Sequence, residues 1–257
     1  MKNILAVLVN YGEEQLQYLQ QVVSELKSFK KYEVTIFVNS NIPLDNIKGI
    51  DYVNVIELDD YQLLPLTCKQ VIWNYKDEFD IFMFGENDHL FKEHHVDKHL
   101  EYYSFLPDNK ITGLIQFEQY DRGKFYCGFH ASYGWDINSI EIWNGKIFAS
   151  PQNIHQATFI LTKEQLHKIG KIHDFTKFFG DSHYSVKCKV NTDIYQFCNM
   201  KKLICISELP SNQIEHLPGI VYERHKENFS NDIKSMGKWE DWMCDGVLNL
   251  IKDANKS

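Results

Sequence analysis

The chain predicts an α/β fold, a mixed, mainly parallel sheet flanked by helices, and three observations carry that expectation. Apolar runs of strand length alternate with stretches of helical period through the first half. The runs show no polar alternation, the mark of strands buried on both faces. Each run also ends in polar residues, at Asn10-Tyr11, Asn39-Ser40-Asn41, Asp59-Asp60 and Glu86-Asn87-Asp88. Ligands of open α/β sheets bind outside the carboxyl ends of their strands.

Residues 4–9 make the first strand. The run looks like the core of a signal peptide, but it is short, no small-residue cleavage site follows, and Asn10-Tyr11-Gly12 opens a polar helix. Residues 13–29 form that helix, with Leu16, Leu19, Val22, Val23 and Leu26 on one face. Strands are expected at 34–38 and 53–58, a helix at 66–75, and a strand at 80–84. Strand–helix alternation implies right-handed βαβ units. Farther on, 94–105 reads as a helix and 111–117 as a strand, whereas 120–150 is aromatic and Gly-rich without a period. Thr162 is the expected N-cap of a helix opening Lys163-Glu164-Gln165. A short helix at 193–200 then leads to a strand at 203–206, and Pro210 and Pro218 punctuate a loop holding Glu215 and His216. The tail, 228–257, carries Trp239, Trp242, Met243, Val247, Leu248 and Ile251 in the pattern of an amphipathic helix anchored by its tryptophans. No repeat or linker interrupts residues 1–257, so a single domain is expected.

Composition narrows the function. At 257 residues and 44% hydrophobic content the chain suits one ordinary soluble globule. A net charge of −8 argues against a general nucleic-acid partner. No segment approaches the ~20 apolar residues that span a bilayer. Six scattered cysteines (Cys68, Cys127, Cys188, Cys198, Cys205, Cys244) without a CxxC pair read as reduced thiols of a cytoplasmic protein.

The chemistry concentrates where the apolar strand of residues 81–84 runs through Gly85, which relaxes the backbone, into Glu86-Asn87-Asp88-His89. Two carboxylates at one strand end repel each other unless a cation or proton lies between them. Such oxygen donors suit Mg²⁺ or Mn²⁺, which keep substrate phosphates in their shell. The plainer role for Glu86 and Asp88 is to cap the helix near His94. His95 and His99 share a helix face, but no HExxH glutamate accompanies them, so a solvated face is expected.

The order of these features resembles the GT-A class of nucleotide-sugar glycosyltransferases over most of the chain. Asn10-Tyr11 closes the first strand, Asn39-Ser40 the second, Glu86-Asn87-Asp88 resembles the class's DxD metal motif, and Asn191-Thr192-Asp193 precedes a helix and the strand 203–206. The resemblance implies a Rossmann-like GT-A fold with a nucleotide-sugar-binding half (1–110), an acceptor half (111–230) and a C-terminal helix (231–257). It implies a nucleotide-diphosphate sugar bound by Asn10, Tyr11, Asn39, Ser40 and Asn87. The Mn²⁺ or Mg²⁺ ion would be held by Glu86, Asp88 and a late histidine, His216 or His225. Asp193 would be the base of an inverting hexosyl transfer, although it could equally be the N-cap of its own helix. The aromatic stretch 126–143, with Asp136 and Asn138, would face sugar rings. The acceptor would be a glycan or glycolipid of polysaccharide biosynthesis, with the protein peripheral at the inner membrane face. Three departures are plain: Glu86 replaces an Asp, Asn39-Ser40 carries no carboxylate, and Thr192 stands where an acid is usual. The loss of the two customary acids, at positions 39–40 and 192, favours an inactive GT-A-like carbohydrate-binding protein as the alternative. A nucleotidyltransferase, the other alternative, would normally show a Gly-rich loop after the first strand.

Overall fold

The structure is a computed structural model, described here for residues 1–121, 123–127, 135–178, 185–196, 198–217, 237–239 and 249–252. Its centre is strand β1 (Lys2–Asn10), whose side chains serve two cores in alternation. Ile4, Ala6 and Leu8 pack with Leu19, Val22, Val23 and Leu26 of α1 (Leu16–Lys27). Leu5, Val7 and Val9 face the other way. Strand β2 (Tyr32–Ser40) lies parallel to β1, and β3 (Tyr52–Val55) lies parallel to β2 at the sheet edge. The third strand is shorter than its apolar run, because Ile56 and Leu58 leave the edge and turn against the second core. Helix α2 (Leu64–Asn74) covers that core, and β4 (Ile81–Glu86) joins β1 in parallel, with Val9 in register with Glu86.

Beyond β4 the chain differs more from the expectation. Strand β5 (His89–Leu90) is followed by α3 (Glu93–Tyr103), which begins at an N-cap on Lys92. The backbone N–H of Lys92 donates to His95 Nδ1, so neither Glu86 nor Asp88 caps this helix. His95 and His99 do not line a solvated face either. They are 2% and 4% exposed, and are hydrogen-bonded to the Gln213 carbonyl and the Gln165 side chain.

The single strand expected at 111–117 is two strands in different sheets, β6 (Lys110–Thr112) and β7 (Ile115–Tyr120). The break falls at Gly113, where an added Cβ would lie 2.6 Å from both Gln156 Oε1 and Lys202 Cε. The aromatic region holds β8 (Gly123–Cys127), β9 (Trp135–Trp143) and β10 (Lys146–Pro151). A register shift between Phe148 and Ser150 accounts for part of the missing period. Strand β11 (Phe159–Thr162) adds antiparallel to β4, which makes the first sheet mixed but mainly parallel.

Thr162 caps α4 (Lys163–Ile172) as expected, accepting from the Gln165 N–H. Helix α5 (Val186–Gln196) starts earlier than residue 193, so Asp193 lies inside it and is not its N-cap. Strand β12 (Lys201–Cys205) pairs with β6 and β10. The proline-flanked loop contains a strand, β13 (Gln213–His216), parallel to β7 and antiparallel to β5. In the tail, Trp239 belongs to β14 (Gly237–Trp239), paired with β8 and not helical. Residues 249–252 are helical, with Leu250 buried, while Trp242, Met243, Val247 and Leu248 lie outside the described residues. Among the described residues no helix is long and apolar enough to cross a membrane, and Cys68, Cys188 and Cys205 are free thiols.

Candidate functional site

A cleft of about 610 Å³ opens at the carboxyl edge of the parallel strands. It is lined by Val9 and Tyr11 at the end of β1, by Asp59 to Gln62 after β3, by Glu86, Asn87 and Asp88 at the end of β4 with His216 beside them, and by Lys187. This is the size and place in the fold of a small-molecule site.

The acidic turn is shaped by its neighbours. Gly85 acts through space and not through a special backbone angle: a Cβ there would meet the Phe91 ring at 2.7 Å. The glycine therefore lets the chain fold back over the end of β4. The Glu86 N–H then donates to His89 Nδ1 at 3.1 Å, which closes the turn. Antiparallel pairing of His89 with His216 brings β13 alongside.

Asp88, His89 and His216 each place a potential ligand atom within 4.8 Å of the others. Hydrogen bonding separates their roles. His89 already accepts at Nδ1, so its neutral ring carries the proton on Nε2. Nε2 lies 3.8 Å from Asp88 Oδ1 and 2.6 Å from the Gln116 amide, whose oxygen must be the atom turned to it in order to accept. That ring ligates a cation only by surrendering the turn. His216 is arranged the other way. Its Nδ1 lies 3.1 Å from Glu118 Oε1, and its Nε2 lies 3.5 Å from Asp88 Oδ2. Burial lowers the affinity of this ring for a proton, but Asp88 and Glu118 outweigh burial and hold its pKa up at about 9. Asp88 itself is 4% exposed, and its Oδ1 has no hydrogen-bond partner. A buried carboxylate oxygen left without a donor, beside an imidazole nitrogen, is a donor set that fits a divalent cation.

Glu86 is half-buried on the same cleft wall. Burial raises its carboxyl above the ordinary range, Lys187 opposes the shift and Asp88 adds to it. Lys187, at the start of α5, has its own pKa raised, chiefly by Glu86. Nothing local in the sequence singled out Lys187, Gln116 or Glu118.

The residues expected to hold the nucleotide divide into two groups. Tyr11 is 63% exposed and lines the cleft, its ring 5.3 Å from that of Tyr61. Asn87 lines it too and donates to Asn10 Oδ1 at 2.7 Å. Asn10, Asn39 and Ser40 instead lie buried beneath the lining. Asn10 Nδ2 donates to Ser40 Oγ and the Gly12 carbonyl, while Asn39 bonds both Thr67 and Asn54. Their polar groups brace the strand ends against each other, and through Asn87 they support the acidic turn. The Asp193 backbone lies in α5, its side chain falls outside the described residues, and so does His225. Asp136 and Asn138 are exposed residues of β9, where the Asn138 N–H donates to Asp136 Oδ1, and residues 128–134 of the aromatic stretch lie outside the described residues.

Comparison with known proteins gives no match to any family model and none to any curated protein. Among solved structures, the chain is similar to S. aureus TarS 1-349, at 10% identity and a TM-score of 0.48, over 97% of this chain and 70% of that one. It is similar also to CMP:2-keto-3-deoxy-manno-octonic acid synthetase complexed with CTP, at 10% identity and a TM-score of 0.43, over 90% of this chain and 99% of that one.

Proposed function

We propose that this chain is a divalent-metal-dependent glycosyltransferase that takes a sugar from a nucleotide-diphosphate donor. The observation that carries the reading is the buried Asp88 carboxylate at the carboxyl edge of a parallel sheet, its Oδ1 without a hydrogen-bond partner and its Oδ2 3.5 Å from His216 Nε2. Asp88 and His216 would hold the ion, with Glu86 reaching it directly or through water. A mixed carboxylate–imidazole set suits Mn²⁺ better than Mg²⁺, which prefers oxygen alone. Such an ion supplies charge stabilisation to a departing diphosphate.

The chain's own residues do the rest. Lys187 offers a second positive charge across the cleft from Glu86, suited to phosphate oxygens. Tyr11 and Tyr61 present aromatic faces at the mouth, where a nucleobase can stack. The Asn10–Ser40–Asn87 brace keeps the acidic turn in register beneath them. Asp193 is the base that this reading assigns to the acceptor hydroxyl, in an inverting hexosyl transfer to a glycan or glycolipid. Its Cα lies about 9 Å along the α5 axis from that of Lys187.

A panel of nucleoside diphosphates, with and without Mn²⁺, tests the reading by thermal unfolding. A Mn²⁺-dependent rise with one nucleotide supports it and identifies the base of the donor. No rise with any of them overturns it. Asp193→Ala should leave donor binding intact and slow transfer by about 10²–10⁴-fold, the usual worth of a general base. A near-normal rate removes Asp193 from that role.

A further inference from the structure

Glu118 does not line the cleft and belongs to no motif, yet it stands directly behind the histidine that does. It lies in β7, buried, with its two carboxylate oxygens engaged separately. The Tyr120 hydroxyl donates to Oε2, and His216 Nδ1 faces Oε1 at 3.1 Å. The sheet fixes the pairing. Glu215 of β13 is in register with Phe117 of β7, so the next residue on each strand, His216 and Glu118, falls on the same face.

An imidazole with a carboxylate against Nδ1 keeps its proton on that side, so Nε2 is the nitrogen that yields its proton when a cation binds. Here Nε2 points toward Asp88 Oδ2, 3.5 Å away. A proton kept on Nε2 pairs with Asp88 and fills the place that a cation needs, so an ion has to displace it. The Tyr120–Glu118–His216 series therefore decides which ring nitrogen gives way to the ion.

We propose that Glu118 is a positioning residue for a divalent-cation site. It sets the tautomer and ring plane of His216 so that Nε2 and the Asp88 carboxylate face a common ion. The inference rests on the reading of the cleft as a metal site, and adds a residue that touches neither ion nor substrate. Carboxylates placed this way behind ligating histidines are worth about 10–100-fold in metal affinity.

Mn²⁺ alone is the probe, its binding measured by calorimetry and by electron paramagnetic resonance on the full chain. Glu118→Gln, nearly isosteric, should raise the Mn²⁺ dissociation constant by about 10–100-fold with an unchanged unfolding midpoint. Binding by the unaltered protein with equal affinity in Glu118→Gln overturns the role of Glu118 and leaves the metal site standing. No Mn²⁺ binding by the unaltered protein overturns the site and this inference together. A second measurement needs no variant. With Cd²⁺ as a diamagnetic probe, long-range ¹H–¹⁵N spectra should place the His216 proton on Nδ1 and the metal on Nε2. The opposite tautomer overturns the proposal even if the Glu118→Gln variant fails to fold.

Discussion

His216 and the pair His95–His99 are buried almost alike, at 7%, 2% and 4% exposure, yet the fold treats them in opposite ways. His95 and His99 meet neutral partners, a backbone carbonyl and a glutamine amide. Burial then dominates and pushes their pKa values down, to about 3 and about 4. His216 meets two carboxylates, and its pKa goes up in spite of burial. The comparison teaches that burial alone does not mark a scaffold histidine. The charge of the partners does, because a neutral ring can satisfy neutral neighbours permanently while a ring between carboxylates invites a cation.

The largest test of that contrast is Asp88→Asn. It removes one of the two charges facing His216 with almost no change of shape. Mn²⁺-dependent nucleotide binding should fall by about 100-fold or more, as expected for loss of a direct ligand where an outer residue already costs 10–100-fold. The fold should stay intact, with the unfolding midpoint lowered only as far as the weakened Oδ2–His216 pairing requires. Unchanged affinity in calorimetry would take Asp88 out of the site.

On the scaffold side the pattern should reverse. His99 ties α3 to the cap of α4, because the Gln165 oxygen it faces also accepts from the Thr162 N–H. His99→Ala leaves a cavity and loosens that cap, at a cost of about 2–4 kcal/mol in denaturant unfolding. Its Mn²⁺ affinity should match that of the unaltered protein, and a matching loss of both would erase the distinction between the two kinds of histidine.

The same contrast predicts a pH dependence of stability. His95 and His99 have folded pKa values below their unfolded value near 6.5, so between about pH 6.5 and 4 the unfolded chain binds protons that the folded chain refuses. Their contribution is therefore complete above about pH 6.5 and is lost as pH falls through that window. The slope approaches ~1.4 kcal/mol per pH unit for each ring. Replacing His99 by Gln should flatten the curve by one proton, and a curve of unaltered slope would show that His99 titrates normally.

These differences mark how far the residue pattern reaches. Strands β1, β2 and β4 and helices α1 and α2 were legible because an apolar run or period there coincides with a real core face. The acidic turn was legible for the same reason: it ends such a run. Strands β11 and β13 were not, since four residues beside a helix cap or between prolines carry no period of their own, and their pairing depends on partners distant in the chain. The polar strand ends show a different limit. Their place at strand ends assigned Asn10, Asn39 and Ser40 to the functional edge of the sheet, but only the fold reveals that Asn10 bonds Ser40, that Asn39 bonds Thr67 and Asn54, and that all three lie beneath the cleft lining. Glu118 illustrates the converse, because a glutamate on a short strand looks like any solvated residue until β13 brings His216 against it.

The smallest expected effect concerns the mouth of the cleft, where no charge is involved. Tyr61 opens a short 3-10 turn, Tyr61–Leu63, whose N-cap Asp60 accepts from the Gln62 N–H, so its ring is held by backbone geometry and not by core packing. Tyr11 faces it from the end of β1, where Gly12 at φ +70° turns the chain and Asn41 accepts the Gly12 N–H. Two rings fixed by separate turns, 5.3 Å apart, are placed to take up a nucleobase without moving the metal ligands. Loss of one stacking face is worth about 1–3 kcal/mol per base, so Tyr61→Leu should weaken nucleotide binding by roughly tenfold, near the lower end of that range. Mn²⁺ affinity without nucleotide should be unaffected. A variant that loses both together would mean that the mouth and the Asp88–His216 cluster are one cooperative unit, and the division between charged site and neutral scaffold would then have to be redrawn around the cleft.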